Sequence, residues 1–393
     1  MGNQVNIPDL RFPEFEGEWE KKKLGDLLEF KNGINASKEQ YGKGIKFINV
    51  LDILNNDFIT HDKIIGSVDV DKDTADLYSV KYGDILFQRS SETREEVGSA
   101  NVYVDKDHDA TFGGFVIRGR MINEYVPVFL NKLLKTDSAR DEITSKSGGS
   151  TRYNVGQGTL SSVVLLFPSL PEQEKIAAFL TAIDKRISLL NQQKEQLEHY
   201  KKGLMQKIFS RDFRFKDANG KDFPDWEEKK LGDCLNYEQP TNYLVSSTKY
   251  SDKFDIPVVT AGKTFILGYT NETIGIFKEN LPVIIFDDFT TATQFVNFPF
   301  KAKSSAMKIL KANESIDLKF IFEAMQMINY EIGGHGRHWI SVFTQMSIEI
   351  PSLPEQTKIA NFLSAIDNKI NQCDIQICKM EEYKKGLLQK LFV

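Results

Sequence analysis

The chain contains a near-copy of part of itself. Residues 168–187 read PSLPEQEKIAAFLTAIDKRI, and residues 351–370 read PSLPEQTKIANFLSAIDNKI. The match resumes further on, where Tyr200-Lys201-Lys202-Gly203-Leu204 returns as Tyr383-Lys384-Lys385-Gly386-Leu387. The offset is 183 residues without a gap, and 25 of the 42 positions from 168 to 209 are identical. A second marker opens each copy: WEKKKLGD from Trp19 and WEEKKLGD from Trp226, an offset of 207. The order is therefore head, repeated segment, head, repeated segment, with the second head the shorter one. The expected bounds are 1–167 for the first head, 168–210 for the central segment, 211–350 for the second head and 351–393 for the last segment. Outside the markers the two heads share little sequence, which suggests one architecture carrying two specificities.

The repeated segment reads as a long helix. Ser169-Leu170-Pro171-Glu172 and Ser352-Leu353-Pro354-Glu355 fit a capping box, with proline in the first turn where its missing N–H costs nothing. Apolar residues then recur every seven positions: Ile176, Ile183, Leu190, Leu197 and Leu204, flanked by Leu180, Ile187 and Ile208. The second copy has Ile359, Ile366, Cys373, Met380 and Leu387, flanked by Leu363, Ile370, Ile377 and Leu391. Five heptads of this kind predict a coiled-coil seam in which each copy pairs with the other; a helix lying on its own head is the competing reading. The second head leaves the first helix and returns at the start of the second, so an antiparallel pair is expected. About 38 residues at 1.5 Å each give roughly 57 Å, one to two turns of DNA.

Each head alternates strand-like runs with one helical stretch. In the first the runs are 45–50, 84–87, 100–104 and 115–118, with a helix near 126–145; in the second they are 256–260, 283–286 and 306–310, with a helix near 318–330. A mixed α/β sheet is expected in each. Both then reach a glycine loop: Gly148-Gly149-Ser150-Thr151-Arg152-Tyr153 and Gly333-Gly334-His335-Gly336-Arg337-His338. Glycine lets backbone N–H groups approach phosphates, and arginine neutralises them or forks onto guanine. The candidate DNA contacts are Ser150, Thr151, Arg152 and Tyr153 with His335, Arg337 and His338, matched across the heads. Arg89, Ser90, Ser91 and Arg94, Lys31, and Thr290, Thr291 and Lys308 complete the set, with a plain surface loop or turn as the alternative for each.

Composition excludes several classes. The net charge of −5 argues against an indiscriminate nucleic-acid binder, although a specific reader needs only a positive groove-facing surface. Cys234, Cys373 and Cys378 are odd in number and lack ligand spacing, which reads as reduced thiols in a cytoplasmic protein. No stretch of about 18 apolar residues exists to span a membrane, and the start has no leader pattern. Ala261-Gly262-Lys263-Thr264 looks like the end of a phosphate loop, but the first glycine of that motif would fall at Pro257. The histidines, at 61, 108, 199, 335 and 338, form no complete ligand set, and no metal or catalytic constellation stands out.

The duplicated Pro-Ser-Leu-Pro-Glu-Gln starts, the duplicated Tyr-Lys-Lys-Gly-Leu ends, and the Gly149-Ser150-Thr151 loop followed by Val155 and Leu160 resemble the specificity subunit of type I restriction–modification enzymes. The second head departs from it at Gly334-His335-Gly336. The resemblance implies two target recognition domains, each reading half of a bipartite, asymmetric DNA site. It implies helices that set the spacer and dock two modification subunits, which carry S-adenosylmethionine and methylate adenine. Two restriction subunits using ATP and Mg would complete the assembly, and this chain would hold no cofactor of its own. A coiled-coil adaptor and a solitary DNA-binding regulator are the alternatives.

Overall fold

The computed structural model describes residues 6–262, 264–331 and 336–393. They form two compact units: Met1–Leu190 with Gln376–Val393, and Asn191–Ile375. Each unit thus holds one head and one part of each long helix.

In the first unit a four-stranded antiparallel sheet runs in the order Leu28–Asn32, Val116–Met121, Ile85–Gln88, Ala100–Val102. Its central strand Ile85-Leu86-Phe87-Gln88 is buried on both faces, so it reads as a continuous apolar run rather than an alternation. The two faces still serve different cores. Ile85 and Phe87 join Phe30, Ile117, Phe129 and the long-helix residues Ile176, Leu180 and Ile183. Leu86 and Val116 instead meet Ile48, Tyr103 and Phe112 beneath a three-stranded sheet ordered Ser67–Val68, Tyr41–Ile48, Thr111–Phe112. The helix expected over 126–145 is broken into Pro127–Leu133 and Asp137–Ser145. Thr136 is the reason: its hydroxyl donates to the Leu133 carbonyl and accepts from the Ala139 N–H, ending one helix and capping the next.

The second unit repeats this plan with unrelated residues. Its four strands are Leu235–Glu238, Met307–Ala312, Val283–Asp287 and Thr293–Val296 in the same order. Its three-stranded sheet is Ile266–Thr270, Ile256–Val259, Lys301–Ala302, again with one antiparallel and one parallel pairing. Each head is closed by a two-stranded ribbon, Glu20–Lys23 with Val164–Phe167 and Glu227–Lys230 with Ser347–Ile350.

The long helices span Leu170–Phe209 and Leu353–Leu391. Of the heptad rows, Ile176, Leu180, Ile183, Leu190, Ile359, Leu363, Ile366, Ile377 and Leu387 are buried, while Ile187, Leu197, Leu204, Ile370 and Met380 are half-buried. In the second unit Lys194 reaches Asp374 and Lys201 reaches Asp367, each at 2.7 Å. Seven residues forward on one helix meet seven residues back on the other, so the pair is antiparallel. Both readings of the helix hold at once, because Ile359, Leu363 and Ile366 also pack into their own head beside Trp226, Phe320 and Trp339. The expected capping box does not form: the Ser352 hydroxyl has no hydrogen-bond partner, and Glu172 and Glu355 turn to a different task.

Candidate nucleic-acid interface and the joints that carry it

Glu172 and Glu355 lock each head to its helix. Arg11 donates from Nε and Nη2 to Glu172 at 2.9 and 2.7 Å, and Trp19 Nε1 donates to the same carboxylate at 3.4 Å. In the second unit Arg214 reaches Glu355 at 3.2 and 2.8 Å and Trp226 Nε1 at 3.3 Å. Both glutamates are at most 1% exposed, so each charge is held by a fork of donors rather than by water. That hydrogen bonding raises the Arg11 and Arg214 guanidinium groups above their ordinary value. The neighbouring glutamines finish the joint. Gln173 accepts the Val126 N–H and donates to the Pro168 carbonyl, both at 3.0 Å, and Gln356 does the same with Asp317 and Pro351, both at 2.9 Å.

A second lock lies about three turns on. Asp184 takes Lys384 at 2.7 Å and also Lys132 from the first head. Asp367 takes Lys201 at 2.7 Å and Lys319 at 2.8 Å, and the buried Glu323 joins both lysines. Burial alone would raise the two aspartates, but the paired lysines outweigh it and hold both below their ordinary value.

Beyond the joints, three segments of each head are knitted at one node. In the first head the Arg89 N–H donates to the Phe115 carbonyl at 2.8 Å, and the Arg89 carbonyl accepts from Val155 at 3.0 Å. Tyr153 and Asn154 pair with Ser91 and Ser90. The glycine loop is closed by reciprocal bonds between Gly148 and Asn154 at 3.0 and 2.8 Å. Gly149 sits at φ 114°, and a Cβ there would lie 2.1 Å from the Arg152 carbonyl oxygen, so only glycine fits. The loop thereby presents Ser150, Thr151 and Arg152 to solvent. In the second head Asp288 occupies the Arg89 position: its N–H donates to Ala306 at 3.1 Å, and its carbonyl accepts from His338 at 3.0 Å. Its carboxylate accepts the Trp339 N–H at 2.8 Å and meets Lys308 Nζ at 3.1 Å, both partners of that ion pair being 1% exposed.

The family model of the type I restriction modification DNA specificity domain matches residues 16–199 and again 224–377. The chain belongs to this family. An Escherichia coli type I restriction enzyme specificity subunit is 49% identical over 146 residues, 34% of this chain and 36% of that relative. A putative type I restriction enzyme specificity subunit of Methanocaldococcus jannaschii is 25% identical over 414 aligned positions, covering 99% of this chain and 96% of the relative. The crystal structure of a type I system S subunit from M. genitalium shares the fold, with a TM-score of 0.66 and 17% identity over 98% of this chain and 99% of that one.

The two specificity domains place the expected contact residues unevenly. Arg89, Arg94, Ser150, Thr151 and Arg152 are exposed, with Ser90 and Tyr153 half-buried beside them. Thr290 is exposed at the tip of a turn in which the Asp287 carboxylate accepts the Phe289 and Thr290 N–H groups; Thr291, half-buried, follows at φ 55°. Arg337 is exposed, and His335 lies outside the described residues. Four expectations are corrected. Ser91 faces inward, donating to Glu96 at 2.9 Å. Lys31 lies over the Tyr78 ring and donates to the Leu77 carbonyl at 3.1 Å, capping a helix end; burial beside Arg118 lowers its pKa. Lys308 is committed to Asp288, and His338 is buried with Nδ1 3.3 Å from the Tyr330 hydroxyl. The pairing of Arg152 with Arg337 also shifts. Val155 and His338 hold the same place in the node, again 183 residues apart, so Arg337 corresponds to Asn154 rather than to Arg152.

The joint residues were missed at the level of sequence. The signal is present, since Glu172, Gln173, Asp184 and Lys201 all recur at the 183-residue offset, but Glu172 reads in sequence as part of a capping box. Among the described residues no cluster of three or more His, Cys, Asp or Glu side chains could hold a metal, and no helix is long and apolar enough to cross a membrane.

Proposed function

We propose that the chain is the DNA-recognition subunit of a type I restriction–modification complex, and that each head reads one half of a bipartite, asymmetric site. The observation that carries this reading is the contrast between a shared frame and unshared loops. The sheet order, the Glu–Gln joint and the hydrogen-bonded node are the same in both heads. What projects from the node differs: Arg89, Arg94 and Arg152 in one, Thr290 and Arg337 in the other. A duplicated frame with divergent exposed polar loops is what reading two different half-sites requires. Both long helices are continuous through the boundary between the units, which supports their role as the element that sets the spacer. Their exposed faces would dock two modification subunits, which carry S-adenosylmethionine and transfer the methyl group to adenine. Two restriction subunits would supply ATP- and Mg-dependent translocation and cleavage. This chain orients the DNA for that chemistry and takes no chemical step itself.

The test is to express the chain with its modification subunits and map methylated adenines by single-molecule sequencing. Two separated, unlike half-sites are expected, and a single continuous site would refute the reading. Inserting four residues near Gln193 adds about 6 Å of helix, close to two base pairs of rise. The spacer should lengthen with both half-sites unchanged; altered half-sites at constant spacing would refute the ruler role.

A further inference from the structure

At its node the first head carries a phenylalanine where the second has Ala306. Gly113-Gly114-Phe115 links the small sheet to the central one, and Phe115 is 65% exposed at its end. Arg89 holds this segment at two points, donating from its N–H to the Phe115 carbonyl and from Nη1 to the Gly114 carbonyl at 3.3 Å. Directly behind Phe115 is a cavity of about 260 Å³, walled by Tyr41, Phe47 and Val116 and rimmed by the exposed Leu51. Its size is below the roughly 300–1,000 Å³ of sites for drug-sized ligands, and suits a single ring system. Two carboxamides reach its wall. Asn35 lies so close to Gly114 that a Cβ there would sit 1.9 Å from its Oδ1, and the Asn49 Oδ1 lies beside Gly113. The cavity therefore offers an aromatic wall for stacking and, at Asn35, an amide that can pair with a base edge, next to an exposed arginine suited to the adjoining phosphate; the Asn49 amide is held in place by its own bond to the Phe47 carbonyl at 3.2 Å. In the second head the place of Phe115 is taken by Ala306, whose carbonyl accepts the equivalent N–H from Asp288.

We propose that the first head takes one nucleobase of its half-site out of the duplex into this cavity, with Phe115 filling the gap left in the stack. This rests on the reading of the chain as a DNA-recognition subunit. An apolar side chain wedged into a base step and a pocket for the displaced base are the two parts that such extrusion needs. Because Ala306 stands in the place of Phe115 in the second head, the other half of the site is the internal control.

Extrusion is easier when the base is already unpaired. The full complex with modification subunits would be titrated with duplexes carrying the mapped site and one mismatch at a time, made by changing only the opposite strand. At one first-half position other than the methylated adenine, the mismatch should tighten binding several-fold; at no second-half position other than a methylated adenine should it do so. Phe115→Ala and Leu51→Trp, both at exposed positions, should abolish that tightening and weaken binding to the intact site roughly tenfold. The methylated adenine position should respond in the variants as it does in the wild type. Wild-type complex that binds its site specifically yet shows no such position, or shows one that survives both substitutions, would overturn the proposal while leaving the recognition role intact. Failure of the wild-type complex to prefer its site over unrelated duplex would overturn both.

Discussion

Arg89 and Asp288 occupy the same point of two heads with the same sheet order, and they have opposite charge and opposite exposure. Arg89 is exposed and ties the loops through its backbone, with one solvent-facing side-chain bond to the Gly114 carbonyl. Asp288 does the tying with its side chain as well, and the charge it brings inside is answered by Lys308, which stands where the first head has Ile117. One head spends its ionic group on the surface and the other on holding its loops. The lesson is that a lysine or arginine near a reading loop has no meaning until its burial is known.

The sharpest way to break that contrast is to remove the cation from each node. Lys308→Met strands a buried carboxylate and should destabilise the second unit by about 3–5 kcal/mol; adding Asp288→Asn should restore part of the loss. Arg89→Met should change stability by no more than about 0.5 kcal/mol. Chemical denaturation decides it, and equal losses would erase the distinction. The joints should behave oppositely, with no difference between heads. Arg11→Met and Arg214→Met each remove a charged fork from a buried glutamate and should cost about 2–3 kcal/mol, alike to within about 1. A large inequality would mean that the two joints are not the same device. For DNA, Arg89→Ala should weaken recognition of one half-site by about 1–3 kcal/mol and leave the other untouched, as read by binding to single-half-site variants; uniform weakening would make Arg89 a general phosphate contact.

The smallest expected difference is in acid. Lys301 in the second head corresponds to Thr111 in the first, where the hydroxyl simply donates to the Lys46 carbonyl at 3.1 Å. Burial would raise the Glu272 carboxyl, but Lys301 at 2.9 Å and the Ser246 and Ser247 N–H groups hold it at about 2. A carboxyl depressed in the folded state stabilises above its unfolded pKa of about 4.3, and that stabilisation is lost as pH falls toward 2. Unfolding followed from pH 5 to pH 3 should therefore show a loss in the second unit that Glu272→Gln reduces. A loss of the same size in that variant would clear Glu272 of any part in it.

Much of the fold was legible because it is repetitive. The heptad rows fixed both long helices, and the short apolar runs located the central strands to within a few residues, since both signals depend only on which positions are buried. The break at Thr136 was not legible, because a single hydroxyl turned between two backbone groups decides it. The same limit applies to the site. Arg152 and Arg337 look alike in sequence, yet the node aligns Arg337 with Asn154. Glu172 three residues after Ser169 satisfies the pattern of a cap, and nothing local reveals an arginine 161 residues away.

Gln173 and Gln356 grip the heads by a peptide N–H, at Val126 in one and Asp317 in the other. Those two residues have nothing chemical in common, and the grip does not ask them to. Any amino acid but proline offers the same donor at that point. A lineage can therefore rewrite that point of a head without having to change the socket that receives it.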